Sequence, residues 1–175
     1  MNKKQRLINF LMSLDVENNW LQNQYIDWES GKRMPDGYEN KNDSYHTHCS
    51  SFVKAVCYKL NISMIGPPYI QTEGLANKQC IWLAQFGHLF GWQEILYNEI
   101  FDHSKMGNLI VVCYYNNDED ACGHVAIIMP THACNDNIYI CHAGLENYSC
   151  KEINYVFGEL LSECKYYSHN IDFVE

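Results

Sequence analysis

Thr47-His48-Cys49-Ser50-Ser51-Phe52-Val53-Lys54-Ala55-Val56-Cys57 sets a cysteine directly in front of an amphipathic run. Val53, Val56, Cys57 and Leu60 recur at i, i+3, i+4 and i+7, the period of a helix with one apolar face. Cys49 therefore falls at the helix start. There the unpaired backbone N–H groups and the positive end of the dipole favour a thiolate. Catalytic cysteines use that position, but a buried, inert thiol is the ordinary fate of an unpaired cysteine. The weight of Cys49 depends on what else the chain brings to it.

Downstream, from Gly107, the pattern changes period. Leu109 to Tyr115 is a continuous β-rich run, Asn116–Asp120 a turn, Gly123 to Met129 a second run, Pro130–Asn137 a second turn, and Ile138 to Ala143 a third run. These read as neighbouring antiparallel strands of one meander. Runs that are apolar on both faces imply a sheet covered on both sides. A register symmetric about Ala133 places His124 opposite His142, and directly opposite residues share a face. A slip of two residues keeps the shared face, whereas a slip of one destroys it. Two imidazoles are thus expected side by side at one end of the sheet. If the Cys49 helix packs there, the constellation is nucleophile, base and orienting group. His124 would partner the Cys49 thiolate and later protonate the leaving amine, and His142 would fix the tautomer of His124. Gly123 lets a substrate or backbone come close beside the base.

The rest of the chain frames this pattern. Residues 3 to about 14 read as a helix with Leu7, Phe10, Leu11 and Leu14 on one face. Lys3, Lys4 and Arg6 before Leu7–Met12 mimic a signal peptide. Asn9 interrupts that run, Asp15 closes it, and no small-x-small cleavage site follows, so an amphipathic first helix is expected instead. Residues 29–48 read as a loop approaching Cys49. The Trp20–Tyr45 region is a candidate wall for a substrate groove. Trp20, Trp28, Trp82 and Trp92 otherwise read as core or rim aromatics. Thr72 is placed to cap a helix running through Leu75, Cys80 and Leu83 to Gly87. Trp92–Tyr97 reads as a short strand and Asn98–Lys105 as a helical or irregular link. Tyr155–Leu161 reads as helix or strand, and Lys165–Tyr167 as a short last strand.

A chain of 175 residues with 47% hydrophobic content is one domain with a real core. The net charge of −9 argues against a nucleic-acid backbone or an anionic membrane as partner. No apolar run is long enough for a transmembrane helix. The nine cysteines are odd in number, show no CxxC spacing, and lie partly inside apolar runs, which is how a protein made in a reducing compartment uses cysteine. A rival use of the same residues is metal binding by His46, His48, Cys49, Cys122, His124 and His142. Their spacing matches no recognisable ligand set, so neither metal nor cofactor is expected.

On these residues the chain resembles the NlpC/P60 cysteine peptidases. Cys49-Ser50-Ser51-Phe52-Val53 is similar to their Cys-Ser-Gly-Phe-Val helix start, with Ser51 in place of glycine. Gly123-His124-Val125-Ala126-Ile127-Ile128 is similar to their His-Val-Gly-Ile strand, and Ile140-Cys141-His142-Ala143 to the strand that carries their third residue. Leu75–Leu83 and His142–Tyr148 resemble an amidase-like bacterial subfamily. The resemblance implies a papain-like α+β fold and a Cys49–His124–His142 triad. It implies cleavage of amide bonds in peptidoglycan stem peptides through a thioester. It also implies an oxyanion-assisting tyrosine upstream of the cysteine, for which Tyr38 and Tyr45 are both candidates, beside the Cys49 backbone N–H. Asn147 is an alternative polar orienter, ranked below His142. The same thiol and imidazole suit deamidation, transglutamination or acyl transfer on a protein target, and a silent fold suits peptide binding. The expected setting is the cytoplasm, or delivery by a dedicated export system as a toxin or effector with a cognate inhibitor.

Overall fold

The computed structural model describes residues 1–35, 47–70, 74–118, 121–130 and 137–173. Three helices lead. α1 (Lys3–Ser13) begins at Asn2, whose side chain accepts from the Gln5 N–H at 2.8 Å, a side-chain cap that satisfies an otherwise unpaired donor. α2 (Cys49–Lys59) buries Phe52, Val53, Ala55, Val56 and Cys57 completely. α3 (Leu75–Phe86) is preceded by Gly74 at φ 62°, a conformation that glycine adopts without a Cβ clash. The expected cap residue Thr72 lies outside the described residues.

The strands are β1 (Trp92–Ile95), β2 (Leu109–Tyr114), β3 (His124–Met129), β4 (Tyr139–His142), β5 (Tyr148–Glu152) and β6 (Lys165–His169). Between them lie two short helices, α4 (Ile100–Lys105) and α5 (Ile153–Phe157). All strand pairs are antiparallel, in the order β1-β6-β2-β3-β4-β5. The fold is therefore α+β. The meander over β2, β3 and β4 continues into β5, a strand that the sequence reading did not anticipate. The last strand is longer than expected and is inserted between β1 and β2, where both of its edges are paired.

Both faces of the sheet are covered. Leu109, Val111, Cys113, Val125, Ile127, Met129 and Cys141 face α1, α2 and α3 in one apolar core. Ile110, Val112, Ala126, Ile128 and Ile140 face Ile100 of α4 and Ile153 and Phe157 of α5 in a second core. The alternation follows directly from the two-residue side-chain period of a strand. Full burial of each large aliphatic side chain contributes about 1.5–3 kcal/mol, so strands apolar on both faces hold the sheet between its two helical layers.

The segment between α1 and residue 35 is irregular and packs on α2. Trp20 is buried edge-on against Phe52 with ring centroids 5.2 Å apart, and Trp28 meets Tyr58 in the same manner at 5.4 Å. Gly31, at φ 72°, lies flat on the indole; a Cβ there would sit 2.2 Å from the Trp20 ring. In its described part this region is core packing against α2. Trp20 does not serve as the groove wall that the sequence suggested.

Candidate active site

Two imidazoles meet at the start of β3 and the end of β4. His124 Nε2 lies 3.1 Å from His142 Nδ1, and the rings stand edge to face with centroids 5.2 Å apart. The β3–β4 register pairs Ile127 with Cys141, Ile128 with Ile140 and Met129 with Tyr139. That is displaced by two residues from the symmetric register expected from sequence. The displacement keeps both histidines on one face and makes them diagonal neighbours, still within reach of one another.

Glycines lie beside both histidines in sequence, Gly123 before His124 and Gly144 after Ala143. A Cβ on Gly123 would meet Asn77 Oδ1 at 2.3 Å and the Tyr114 carbonyl oxygen at 2.4 Å. Asn77 is fixed there because its carboxamide accepts from the Asn116 N–H and donates to the Asn116 carbonyl, each at 3.0 Å. A Cβ on Gly144 would meet the His142 ring at Cε1, 2.9 Å away. Across β5, Tyr148 is paired with His142 in register, and its ring stacks on the imidazole at 5.7 Å and 28°. Desolvation lowers both imidazoles: the pKa of half-buried His124 falls to about 3, with His142 lowering it further, and that of buried His142 to about 4. His142 Nε2 is buried without a partner among the described residues.

Cys49 is the first residue of α2, after His48 at the N-cap position. The first intrahelical bond runs from Phe52 N–H to the His48 carbonyl at 2.8 Å, which leaves the N–H groups of residues 49 to 51 at the open end of the helix. The backbone N–H groups of Val125 and Ser50 donate toward the sulfur, so it lies against the start of β3, one residue from His124. The thiol is only 6% exposed, and burial pushes its pKa up to about 11. This differs from the expectation of a favoured thiolate: burial outweighs the two backbone N–H donors. The sulfur belongs to the core on the α2 side, whereas the imidazoles face the α5 side, where His124 packs on Phe157 at 5.3 Å.

A cavity of about 610 Å³ opens on the imidazole pair, bordered by Thr47, Cys122, His142, Glu146, Tyr148 and Tyr155 among others. Thr47 ties the approach to α2 into this cavity, although the Cys49 side chain does not line it. Cys122, exposed and two residues before His124, does.

The remaining expected site residues fall elsewhere. Asn147 accepts from Gly144 N–H at 3.0 Å, and its Nδ2 faces the carbonyls of Val16, Asn19 and Trp20 at 2.8–3.2 Å. It clamps the chain after α1 to the β4–β5 turn and is not an orienter of His124. Tyr38, Tyr45 and His46 lie outside the described residues. His48 is buried with Nε2 at 3.1 Å from the Gln24 carbonyl, and burial lowers its pKa to about 4. Among the described residues no group of three or more histidine, cysteine or acidic side chains is arranged to hold a metal ion. The eight described cysteines carry free thiols.

Sequence reasoning missed Tyr148 and Glu146 as cavity walls. The only available signal was their place just after the His142 strand. Helix length and polarity place no membrane-crossing helix among the described residues. No protein-family model matches the sequence, and no curated protein matches it.

Proposed function

We propose that the chain is a papain-like cysteine hydrolase of the NlpC/P60 kind, acting on an amide bond in peptide substrates, with peptidoglycan stem peptides as the first choice. The observation that carries this reading is the 3.1 Å contact between His124 Nε2 and His142 Nδ1, with the Cys49 sulfur at the backbone of the next residue, Val125. A base with one ring nitrogen engaged leaves the other for a proton from the nucleophile.

His124 Nδ1 takes the Cys49 proton as the sulfur attacks the carbonyl carbon. The tetrahedral oxyanion is met by the Cys49 backbone N–H at the open helix end. His124 then protonates the leaving amine and a thioester remains. Water gives its proton to His124, attacks the thioester and releases the acid and the thiol. His142 accepts from the His124 Nε2–H throughout and holds the ring in one tautomer. Because the resting sulfur is buried on the α2 side of the sheet and the imidazoles face the α5 side, the reading requires the Cys49 side chain to turn from Val125 past the start of β3 toward the cavity beside Thr47.

The test is digestion of purified peptidoglycan, read by mass spectrometry, with the wild-type chain and Cys49→Ala in parallel. New amines and carboxylates from the wild type alone support the reading. Turnover that persists in Cys49→Ala overturns it. A second reading, a catalytically silent peptide-binding module, is favoured by the buried thiol outside the cavity lining. An activity-based thiol probe that never labels Cys49 in the presence of substrate peptides selects it.

A further inference from the structure

We propose that Cys80 of α3 and Cys113 of β2 form a peroxide-reactive dithiol: a small hydroperoxide entering the cavity beside them oxidises the pair to a reversible disulfide that ties α3 to the sheet. The inference stands apart from the hydrolase reading, since neither cysteine lines the imidazole cavity.

Position comes first. Cys113 lies on the face of the sheet that α3 covers, opposite Val125 in the β2–β3 register, and both cysteines belong to the same apolar core. On α3, Ala76, Cys80 and Leu83 are buried at helical spacing, so Cys80 is on the inward face of its helix. Helix and strand thus present their thiols to one another, and the Cys113 S–H donates to the Cys80 sulfur. Both thiols are free. A disulfide requires the loss of two hydrogens and an approach of the sulfurs to about 2.05 Å.

Access comes second. Two thiols in contact inside a sealed core would be ordinary packing. Here both residues line a cavity of about 290 Å³, together with Ile81 and Ala84 of α3. Its charged lining is Glu94, Glu163 and Lys165, and Lys165 Nζ pairs with Glu94 Oε1 at 3.4 Å. One carboxylate in excess disfavours an anionic oxidant such as glutathione disulfide. Hydrogen peroxide is neutral and little larger than water, whose share of the liquid is about 30 Å³, so the cavity admits it.

The chemistry balances without a further reactant. Burial pushes the Cys113 thiol well up, so that thiol keeps its proton and the first attack falls to Cys80. The Cys80 sulfur attacks one peroxide oxygen: the S–O bond forms, the O–O bond breaks, and the thiol proton leaves with the other oxygen as water. Cys80 becomes a sulfenic acid, oxidised by two electrons while the peroxide is reduced. The Cys113 sulfur then attacks the Cys80 sulfur: the S–S bond forms, the S–O bond breaks, and the oxygen leaves as water with the Cys113 proton. Two thiols and one peroxide give one disulfide and two waters. A thiol reductant reverses the product by exchange.

The test treats the native full chain with an equimolar amount of hydrogen peroxide and then blocks the remaining thiols with iodoacetamide in urea. Chymotryptic peptides are mapped by mass spectrometry without reductant; cleavage after Tyr114 or Tyr115 separates Cys113 from Cys122. The expected product is a peptide pair linking Cys80 to Cys113, two hydrogens lighter than the free peptides together and lost on reduction with a phosphine. Without peroxide both cysteines should be fully alkylated. In Cys113→Ala the linked pair should vanish and dimedone should trap the Cys80 sulfenic acid instead. The wild-type map decides the question even where that variant fails to fold. Full alkylation of both cysteines after peroxide, linkage of either to a different cysteine, or oxidation of Cys80 that runs on to the sulfinic acid overturns the proposal.

Discussion

The Gln79 carboxamide of α3 donates to the carbonyl oxygen of Ser50, 3.0 Å away, in the first turn of the helix that begins with Cys49. The same Nε2 donates to the Ile65 carbonyl at 3.0 Å, and the side chain is fully buried. One amide thus joins α3, the start of α2 and the chain that follows α2. Its Oε1 has no partner among the described residues.

Removing this amide takes a donor from the Ile65 carbonyl, which costs about 1–3 kcal/mol, while the Ser50 carbonyl keeps its intrahelical bond within α2. Gln79→Leu is therefore expected to lower stability by about 1–3 kcal/mol. Urea unfolding followed by tryptophan fluorescence measures it. A change below about 0.5 kcal/mol, the range of an ordinary surface substitution, would show that the amide does not hold α2 in place.

Acid should weaken the fold through three histidines. His48, His124 and His142 have folded pKa values of about 4, about 3 and about 4, below the ordinary 6.5. Between pH 6.5 and 4 the unfolded chain binds more protons than the folded one, so stability is full above 6.5 and is lost as pH falls through that window. Each group contributes a slope of up to about 1.4 kcal/mol per pH unit there. His124→Gln should flatten the slope of stability against pH in this range; an unchanged slope would mean that His124 titrates normally in the folded state.

Cysteine reactivity should follow exposure before chemistry. Limiting iodoacetamide at neutral pH is expected to modify Cys122 and Cys150, the exposed thiols among those described, well before Cys49. Burial that pushes the Cys49 thiol up to about 11 leaves little thiolate at pH 7. Peptide mapping by mass spectrometry reads the order. Rapid, selective labelling of Cys49 would show instead that the sulfur spends much of its time turned out toward the cavity. In the same protein Cys49→Ala should abolish turnover by at least about a thousandfold while keeping the far-ultraviolet dichroism.

Gly144→Ala is a test of positioning. The new methyl would press on the His142 ring, whose Cε1 lies 2.9 Å from the ideal Cβ position. The expected result is a fall in kcat of about tenfold or more with KM little changed, as for a group that acts only as the transition state forms. Nitrogen-15 spectra of the two imidazoles should show a changed tautomer balance. Unchanged spectra with lowered kcat would point to a cause other than His142. Gly123→Ala should behave differently: its Cβ meets the Tyr114 carbonyl at 2.4 Å, so the fold itself should be destabilised, by about 1–3 kcal/mol.

Much of the frame was legible in residue periodicity. Val53, Val56, Cys57 and Leu60 announce α2, and the apolar runs from Leu109 to Met129 announce β2 and β3, because burial writes its period into sequence. The shared face of His124 and His142 was legible for the same reason, since it survives an even shift. The shift itself was not, because the geometry of the loop between two strands sets register and no residue there states it. β5 escaped notice because Tyr148-Ser149-Cys150-Lys151-Glu152 is mostly polar and pairs on only one side, at the sheet edge. Asn147 looked like a site residue because its bonding partners, near Val16 and Trp20, lie far away in sequence. The depth of Cys49 was hidden similarly: helix position is local, whereas desolvation depends on everything packed around it.

The place of β6 between β1 and β2 bears on how the protein is made. As the ribosome extends the chain, β1 and β2 emerge early with a strand-wide gap between them, and residues 165–169 fill it only after β3, β4 and β5 have left the exit tunnel. Until then the β2–β5 meander carries an open backbone edge at what becomes the middle of the sheet, a template for pairing with another nascent chain.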